Sequence, residues 1–344
     1  MTIFHLPPEW APQSAVMLTW PHEHGDWRDK LSLVEPVFVE IARHISLHER
    51  VIIACWDETH LAHVKMLLRD SGAALDKITL HAAPSNDTWT RDHGPITVLD
   101  NAAPRLLDFT FNGWGRKFDA ELDNQLTGRL HAAGAFGKTP LQTIDVVLEG
   151  GSIEVDGAGT LLTTRRCLMS PMRNPHLTQP QIETLLGELF GVERFLWLDN
   201  GYLAGDDTDS HIDTLARLCN RHTIAYVACD DPADEHYQEL KSMEEELRRF
   251  RTPDGAPYHL AALPWPQPKY DEEGHRLPAT YANFLIVNGA VLVPTYADPA
   301  DETALTRIRE CFPDREVIGV PCLPLILQHG SLHCVTMQLP AGVL

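Results

Sequence analysis

The sequence predicts a single α/β domain of pseudosymmetric repeats, spanning residues 1–344. Three observations lead there. A short unit recurs along the chain: a polar residue, an apolar strand, a hairpin turn and a second apolar strand. Stretches of helical periodicity separate most of the units. No linker or low-complexity tract divides the chain in two.

The first elements precede the repeats. Ala15-Val16-Met17-Leu18-Thr19-Trp20 reads as a strand, and Leu33 to His48 as a helix with Val34, Val37, Phe38, Ile41 and Ile45 on one face. Val51 to Cys55 reads as a buried strand, Glu58 to Asp70 as a second helix, and Ile78 to His81 as a short strand.

Four units then follow. Asp92 precedes Ile96–Leu99, an Asp100-Asn101 turn and Arg105–Phe109. Glu149 precedes Ser152–Val155, an Asp156-Gly157 turn and Thr160–Thr163. His211 and Asp213 precede Thr214–Leu218, an Asn220-Arg221 turn and Thr223–Val227. Asn283 precedes Phe284–Val287, an Asn288-Gly289 turn and Ala290–Pro294. A fifth unit, opening at Cys334, is cut short by the chain end. Helices are expected at Pro180 to Phe190, Glu235 to Phe250 and Asp301 to Cys311. The units stand roughly 50 to 70 residues apart, a spacing typical of repeat architectures. Five copies around an axis would bring their leading polar residues to one centre.

Composition narrows the function. The chain is 44% hydrophobic and 22% charged, as in ordinary globular proteins. Its formal net charge of -20 argues against nucleic acid, which requires clustered Lys and Arg, and suits a small cationic substrate. No apolar run approaches the roughly 20 residues that cross a bilayer, so no membrane partner is expected. The start, Met1 to Pro8, has no basic segment leading into an apolar one, and a cytosolic protein is the default. A homo-oligomer is compatible with the sequence. The seven cysteines are irregularly spaced and include no CxxC pair, which disfavours a disulfide framework or a zinc knuckle.

The chemistry concentrates at a few positions. Cys334 sits in Gly330-Ser331-Leu332-His333-Cys334-Val335-Thr336, where it reads either as a small buried hydrophobe or as a nucleophile. A nucleophilic thiol needs a nearby positive charge, from His211 or from a bound cation. His333, its neighbour, is expected to face the opposite side of a strand. His211 and Asp213, two residues apart, are expected on one strand face, as an acid/base beside a substrate-binding acid. Asp206, Asp207 and Asp209 form an acidic segment that lacks the ligand pattern of a calcium loop, and no metal is expected. Asp92 stands beside Arg91, where an ordinary ion pair is the plain alternative. Glu149 ends an apolar run before two glycines that allow close backbone approach. The aromatic, Gly-rich loop Phe111–Gly115, which holds Trp114, reads either as a pocket wall or as a packed loop tip. Carboxylates converging on one site repel unless a cation lies between them, and a planar guanidinium can donate to both sides.

These motifs resemble the agmatine deiminase family, within the superfamily that modifies guanidino groups and includes bacterial peptidylarginine deiminases. The resemblance rests on Trp89–Pro95, Phe111–Gly115, Leu148–Ile153, Asp207–Asp213, Tyr281–Phe284 and His333–Gln338, in the family's order. It implies a five-bladed ββαβ propeller of the pentein type and an enzyme without a cofactor. It also implies that Cys334 attacks the guanidinium carbon to form an amidino-thioether, and that His211 protonates the leaving ammonia and then activates water. Asp92 and Asp213 would hold guanidinium nitrogens, Glu149 would orient His211 or a nitrogen, and Trp89, Trp114 and Asn283 would make secondary substrate contacts. The implied reaction turns agmatine into N-carbamoylputrescine and ammonia. A deiminase of peptidyl-arginine or another arginine derivative, an amidinotransferase, and a non-catalytic guanidine- or polyamine-binding module are the alternatives. The chain departs from relatives at Gln328–Leu332 and at Ser210, both near the expected pocket mouth, which leaves the tail of the substrate open.

Overall fold

The computed structural model describes residues 4–344; Met1, Thr2 and Ile3, part of the segment read for a secretory signal, lie outside the described residues. Among the described residues, five sheets of three or four strands and one two-stranded ribbon are formed. The five larger sheets share one plan. A strand pairs antiparallel with the next, which then pairs parallel with a third reached across a helix or loop.

The plan follows from the units in the sequence. Ile96–Asp100 and Ala103–Thr110 form a hairpin, completed in parallel by Leu141–Val147. The same holds for Ile153–Val155 with Thr160–Thr164 and Arg194–Leu198. It holds again for Ala216–Asn220 with Thr223–Val227 and His259–Leu263, and for Leu285–Val287 with Ala290–Thr295 and Glu316–Pro321. The last sheet is closed by the chain termini. Thr336–Pro340 lies antiparallel to Gln13–Thr19, which continues in parallel to Arg50–Cys55 and Ile78–Ala82. The truncated fifth unit is therefore completed by strands from the start of the chain.

Helices cover the sheets where the periodicity placed them. Leu31–His48 buries Val34, Val37, Phe38, Ile41 and Ile45. Glu58–Arg69 starts at Asp57, whose carboxylate accepts from His60 N at 2.8 Å. Gln179–Phe190 opens with a Thr178/Gln181 capping box and ends at Gly191, at φ +68°. Further helices are Tyr237–Arg249 and Asp301–Cys311.

The inner strands of the terminal sheet are buried on both faces. In Gln13–Thr19, Val16 and Leu18 belong to one apolar cluster, while Ala15 and Met17 belong to another. Val51 and Ile53 share the first cluster, and Ile52 and Ala54 the second. Such two-sided burial explains why these strands read as continuous apolar runs without alternation.

Each chemically interesting residue sits in a short turn just ahead of a hairpin or closing strand. Asp92 lies in the single helical turn Thr90–His93, and Glu149 immediately precedes the 3-10 turn Gly150–Ser152. His211 precedes the 3-10 turn Ile212–Thr214, and Cys334 stands two residues before Thr336–Pro340.

Two sequence expectations fail here. His211 and Asp213 do not share a strand face, because the chain turns before the strand begins at Ala216. Thr214 Oγ1 donates to the His211 carbonyl at 2.8 Å and holds that turn. Likewise His333 does not point away from Cys334. Thr336 N and Oγ1 both donate to the His333 carbonyl at 3.0 Å, so residues 333 and 334 lie on a turn, where side chains do not alternate.

Candidate active site

Asp92, Glu149, His211, Asp213, Asn283 and Cys334 converge, and all are buried. His211 Nδ1 lies 3.5 Å from Asp92 Oδ1, and the Cys334 thiol donates to Asp213 Oδ2 at 3.8 Å. Gly151 N donates to Asp92 Oδ1 at 3.1 Å. A Cβ placed on Gly151 would sit 2.6 Å from His211 Nδ1, 2.8 Å from Asp92 Oδ1 and 3.1 Å from Asp213 Oδ2. Gly151 therefore marks the point where three of these side chains meet.

Three predicted residues make contacts that the sequence did not indicate. Asn283 does not face the pocket as a substrate contact: its Nδ2 donates to Cys334 Sγ at 3.2 Å. Its Oδ1 accepts from His333 N at 2.9 Å and from Cys334 N at 3.3 Å, so it fixes the thiol and the turn that carries it. Trp114 lines the pocket, but its Nε1 also donates to Asp92 Oδ2 at 2.9 Å. The left-handed backbone through Gly113, Trp114, Gly115 and Arg116 turns that indole inward. Glu149 has no direct hydrogen bond to His211, although their ligand atoms lie within 4.8 Å. Instead Arg173 Nε donates to both Glu149 oxygens at 2.9 Å. Trp89 lines the pocket and packs so tightly on Gly330 that a Cβ there would lie 2.0 Å from its ring.

Sequence reasoning also missed several partners. His333 Nδ1 contacts Asp213 Oδ2 at 2.7 Å. Arg91 pairs with Glu9 at 3.2 Å and with Gln338, not with its neighbour Asp92. Arg173 and Cys167 lie against Glu149 and His211 and carry no periodic or motif signal. The His211, Cys167 and Glu149 ligand atoms are close enough to share a metal, but Arg173 already occupies both Glu149 oxygens. In the acidic segment, Asp209 binds Lys117 at 2.8 Å and Arg173 at 2.6 Å, and Asp206 accepts from Thr208 N and Ser210 N. Ser210 has φ +64°, which explains why a glycine suits that position.

Electrostatics divide the groups by role. Burial opposes charge on His211, but Asp92, Cys167 and Glu149 outweigh it and raise the imidazole to about 10. Burial lifts Asp92 to about 6, with His211 pulling it down and Asp213 pushing it up. Asp213 stays below the ordinary carboxylate range, because His333, His211 and Arg217 overcome its burial. Burial, Asp213 and Asp92 push the Cys334 thiol well above its ordinary value. The thiol is therefore protonated until a positive charge enters beside it.

Two of these buried groups lack hydrogen-bond partners among the described residues: both His211 ring nitrogens and Asp213 Oδ1. Buried polar atoms are almost always paired, so Asp213 Oδ1 is open to a cationic N–H donor, whereas the protonated His211 ring offers donors to an acceptor. The adjoining pocket is lined by Trp89, Asp92, Trp114, Phe118, Asp207 and Cys334, among others. A thiol, an imidazolium and two carboxylates around one such pocket define a cysteine-dependent enzyme acting on a cationic planar carbon. The chain belongs to the Porphyromonas-type peptidyl-arginine deiminase family, whose sequence profile matches residues 5–340.

Individual relatives refine this. An agmatine deiminase of Stutzerimonas stutzeri is 34% identical, over 98% of this chain and 96% of its own. One from Pseudomonas syringae pv. syringae is 35% identical with the same coverage. A C. jejuni agmatine deiminase solved with substrate bound is 39% identical and superposes with a TM-score of 0.91, covering 98% of this chain and 96% of that one. A Porphyromonas gingivalis structure, provisionally named an arginine deiminase, is 52% identical with a TM-score of 0.92, covering 98% and 99%.

Proposed function

We propose that this protein hydrolyses agmatine to N-carbamoylputrescine and ammonia through a covalent Cys334 intermediate. The observation that carries the choice of substrate is the charge of the pocket. Its lining holds Asp26, Asp87, Asp92 and Asp207 and, among the described residues, no Lys or Arg. A guanidinium with a distal ammonium suits that field, whereas the α-carboxylate of free arginine is repelled by it. The curated relatives named agmatine deiminase support the same reading.

The reaction then follows from the geometry. The guanidinium enters between Asp92 and Asp213 and brings its charge against Cys334 Sγ. That charge offsets the two carboxylates and lowers the thiol, which gives up its proton to solvent as the cation binds. Sulfur bonds to the guanidinium carbon. One C–N bond breaks as His211 gives its proton to the departing nitrogen, which leaves as ammonia. The neutral imidazole then takes a proton from water, whose oxygen attacks the amidino-thioether, and the C–S bond breaks to release the ureido product and the thiol. Nothing in this sequence requires a cofactor.

The strand plan shared by the five sheets supports a single domain with five blades around the pocket, closed by pairing of the first and last strands. No described helix is long and apolar enough to cross a membrane, and we place the enzyme in the cytoplasm on putrescine formation from a free small amine.

The test is ammonia release from agmatine, free arginine and an arginine-containing peptide, compared by kcat/KM. Agmatine is expected to exceed both by at least roughly a hundredfold. A peptide turned over faster than agmatine would replace this reading with a protein-modifying one.

The pH dependence has a defined sign. Asp92 must be ionised to receive the cation, so kcat/KM rises as pH climbs through about 6. His211 must be protonated to release ammonia, so it falls again as pH climbs towards about 10. Asp92→Asn should remove the acid limb and most of the activity. A profile flat across the acid range in the wild-type enzyme would take Asp92 out of substrate binding.

A further inference from the structure

Asp213 continues into a buried charged cluster that does not line the pocket. His333 Nδ1 contacts its Oδ2 at 2.7 Å, and His333 Nε2 contacts Glu9 Oε1 at 2.8 Å. Glu9 comes from the segment before Gln13–Thr19, far from His333 in sequence. Its Oε1 also accepts from Arg91 Nη1 at 3.2 Å, and its Oε2 accepts from Arg217 Nη2 at 2.5 Å and Gln338 Nε2 at 2.9 Å. Arg217 reaches Glu154 as well and lies 3.1 Å from His333 Nε2.

Proton counting decides what this cluster does. A contact of 2.7 Å between a ring nitrogen and a carboxylate oxygen needs a proton between them. The 2.8 Å contact on the other nitrogen needs a second one. The single alternative for Nε2 is to accept from Arg217, which would leave a bare lone pair facing the Glu9 carboxylate. Both contacts are satisfied together only while the ring holds two protons. Burial, Arg217 and Arg91 work against that second proton and, despite Glu9 and Asp213, hold the ring below its ordinary pKa, so the proton stays only where both short carboxylate contacts are kept. Glu9 itself remains ionised, because Arg217, His333 and Arg91 overcome its burial.

We propose that Glu9 is a positioning residue for the reaction: it holds His333 in a doubly protonated state that fixes Asp213 Oδ2 and leaves Asp213 Oδ1 open for a guanidinium nitrogen. The inference rests on the proposed role of Asp213 in holding the guanidinium. Glu9 borders a separate pocket, lined also by Pro7, Pro8, Arg91, Glu154 and Met337, so its substitution leaves the lining of the reactive pocket unchanged. The charged groups facing the relay are Arg91, Arg217, Glu154 and Asp213.

The test uses the full-length enzyme with agmatine. Glu9→Gln is expected to lower kcat/KM roughly tenfold, chiefly through KM, while the alkaline limb set by His211 stays in place. His333→Gln should do the same, and the double variant should be no worse than His333→Gln alone, because both act on one contact. A purely structural role would lower the folded yield or Tm but leave the KM of the folded enzyme unchanged. Additive losses, or an unchanged KM in Glu9→Gln, would overturn the relay. Should Glu9→Gln fold poorly, nitrogen-15 NMR of the wild-type histidine rings still decides: His333 should show two protonated nitrogens, and a bare Nε2 refutes the proposal. Asp213→Asn separates the underlying reading. If that variant keeps its KM for agmatine, the assignment of Asp213 to the guanidinium fails, whatever the state of His333.

Discussion

Cys334→Ala is expected to abolish ammonia release from agmatine, with a loss of at least about 10⁴-fold, while agmatine binding persists. The sulfur has no substitute within reach. Cys167, which also lies near His211, is packed behind Glu149 and raised in pKa by burial, so it is absent from the pocket lining. Binding should survive because the groups that receive the cation, Asp92 and Asp213, are held by others. Gly151 N and the Trp114 indole fix Asp92, and His333 fixes Asp213. The stability cost should be small, on the order of 1 kcal/mol for removing one buried sulfur. Ammonia assays and calorimetric titration with agmatine check both halves. Residual turnover near the wild-type rate would rule out thiolate catalysis altogether.

Gly151→Ala should be nearly as damaging, although it adds only one methyl group. Gly151 is not at positive φ, so alanine can adopt its backbone without strain. Space is what excludes it: the new Cβ would approach His211, Asp92 and Asp213 within 2.6 to 3.1 Å. These are three of the groups that must meet the substrate, and all three are buried, with Asp92 held by Gly151 N and the Trp114 indole and Asp213 by His333. Displacing them by even a fraction of an ångström should cost about 100-fold or more in kcat/KM. Circular dichroism should be unchanged, since the disturbance is confined to the pocket floor. A variant with normal kinetics would mean that these three side chains do not have to lie together for turnover.

The comparison of Gly151 with Gly150 shows how little of this is visible in one dimension. Both stand after Glu149 and look alike in sequence. A Cβ on Gly150 would strike the Arg91 carbonyl at 2.3 Å, which is a backbone packing constraint, whereas one on Gly151 would enter the reactive centre. Only the folded arrangement tells these two apart.

The same division runs through the whole protein. The sequence by itself determined the repeated unit, most helices, and the identity of the groups that converge, because periodicity, turn chemistry and residue type are local properties. It did not determine how those groups are held. Glu9, Arg91, Arg173, Arg217 and His333 are ordinary residues in their own segments, and their partners lie on distant turns. It also misjudged His211, Asp213 and His333, because alternation applies to strands and these residues sit in turns just ahead of them. Local pattern chose the reacting groups, and tertiary structure decided their protonation and aim: burial and charge from remote chain segments act through space, without regard to sequence order.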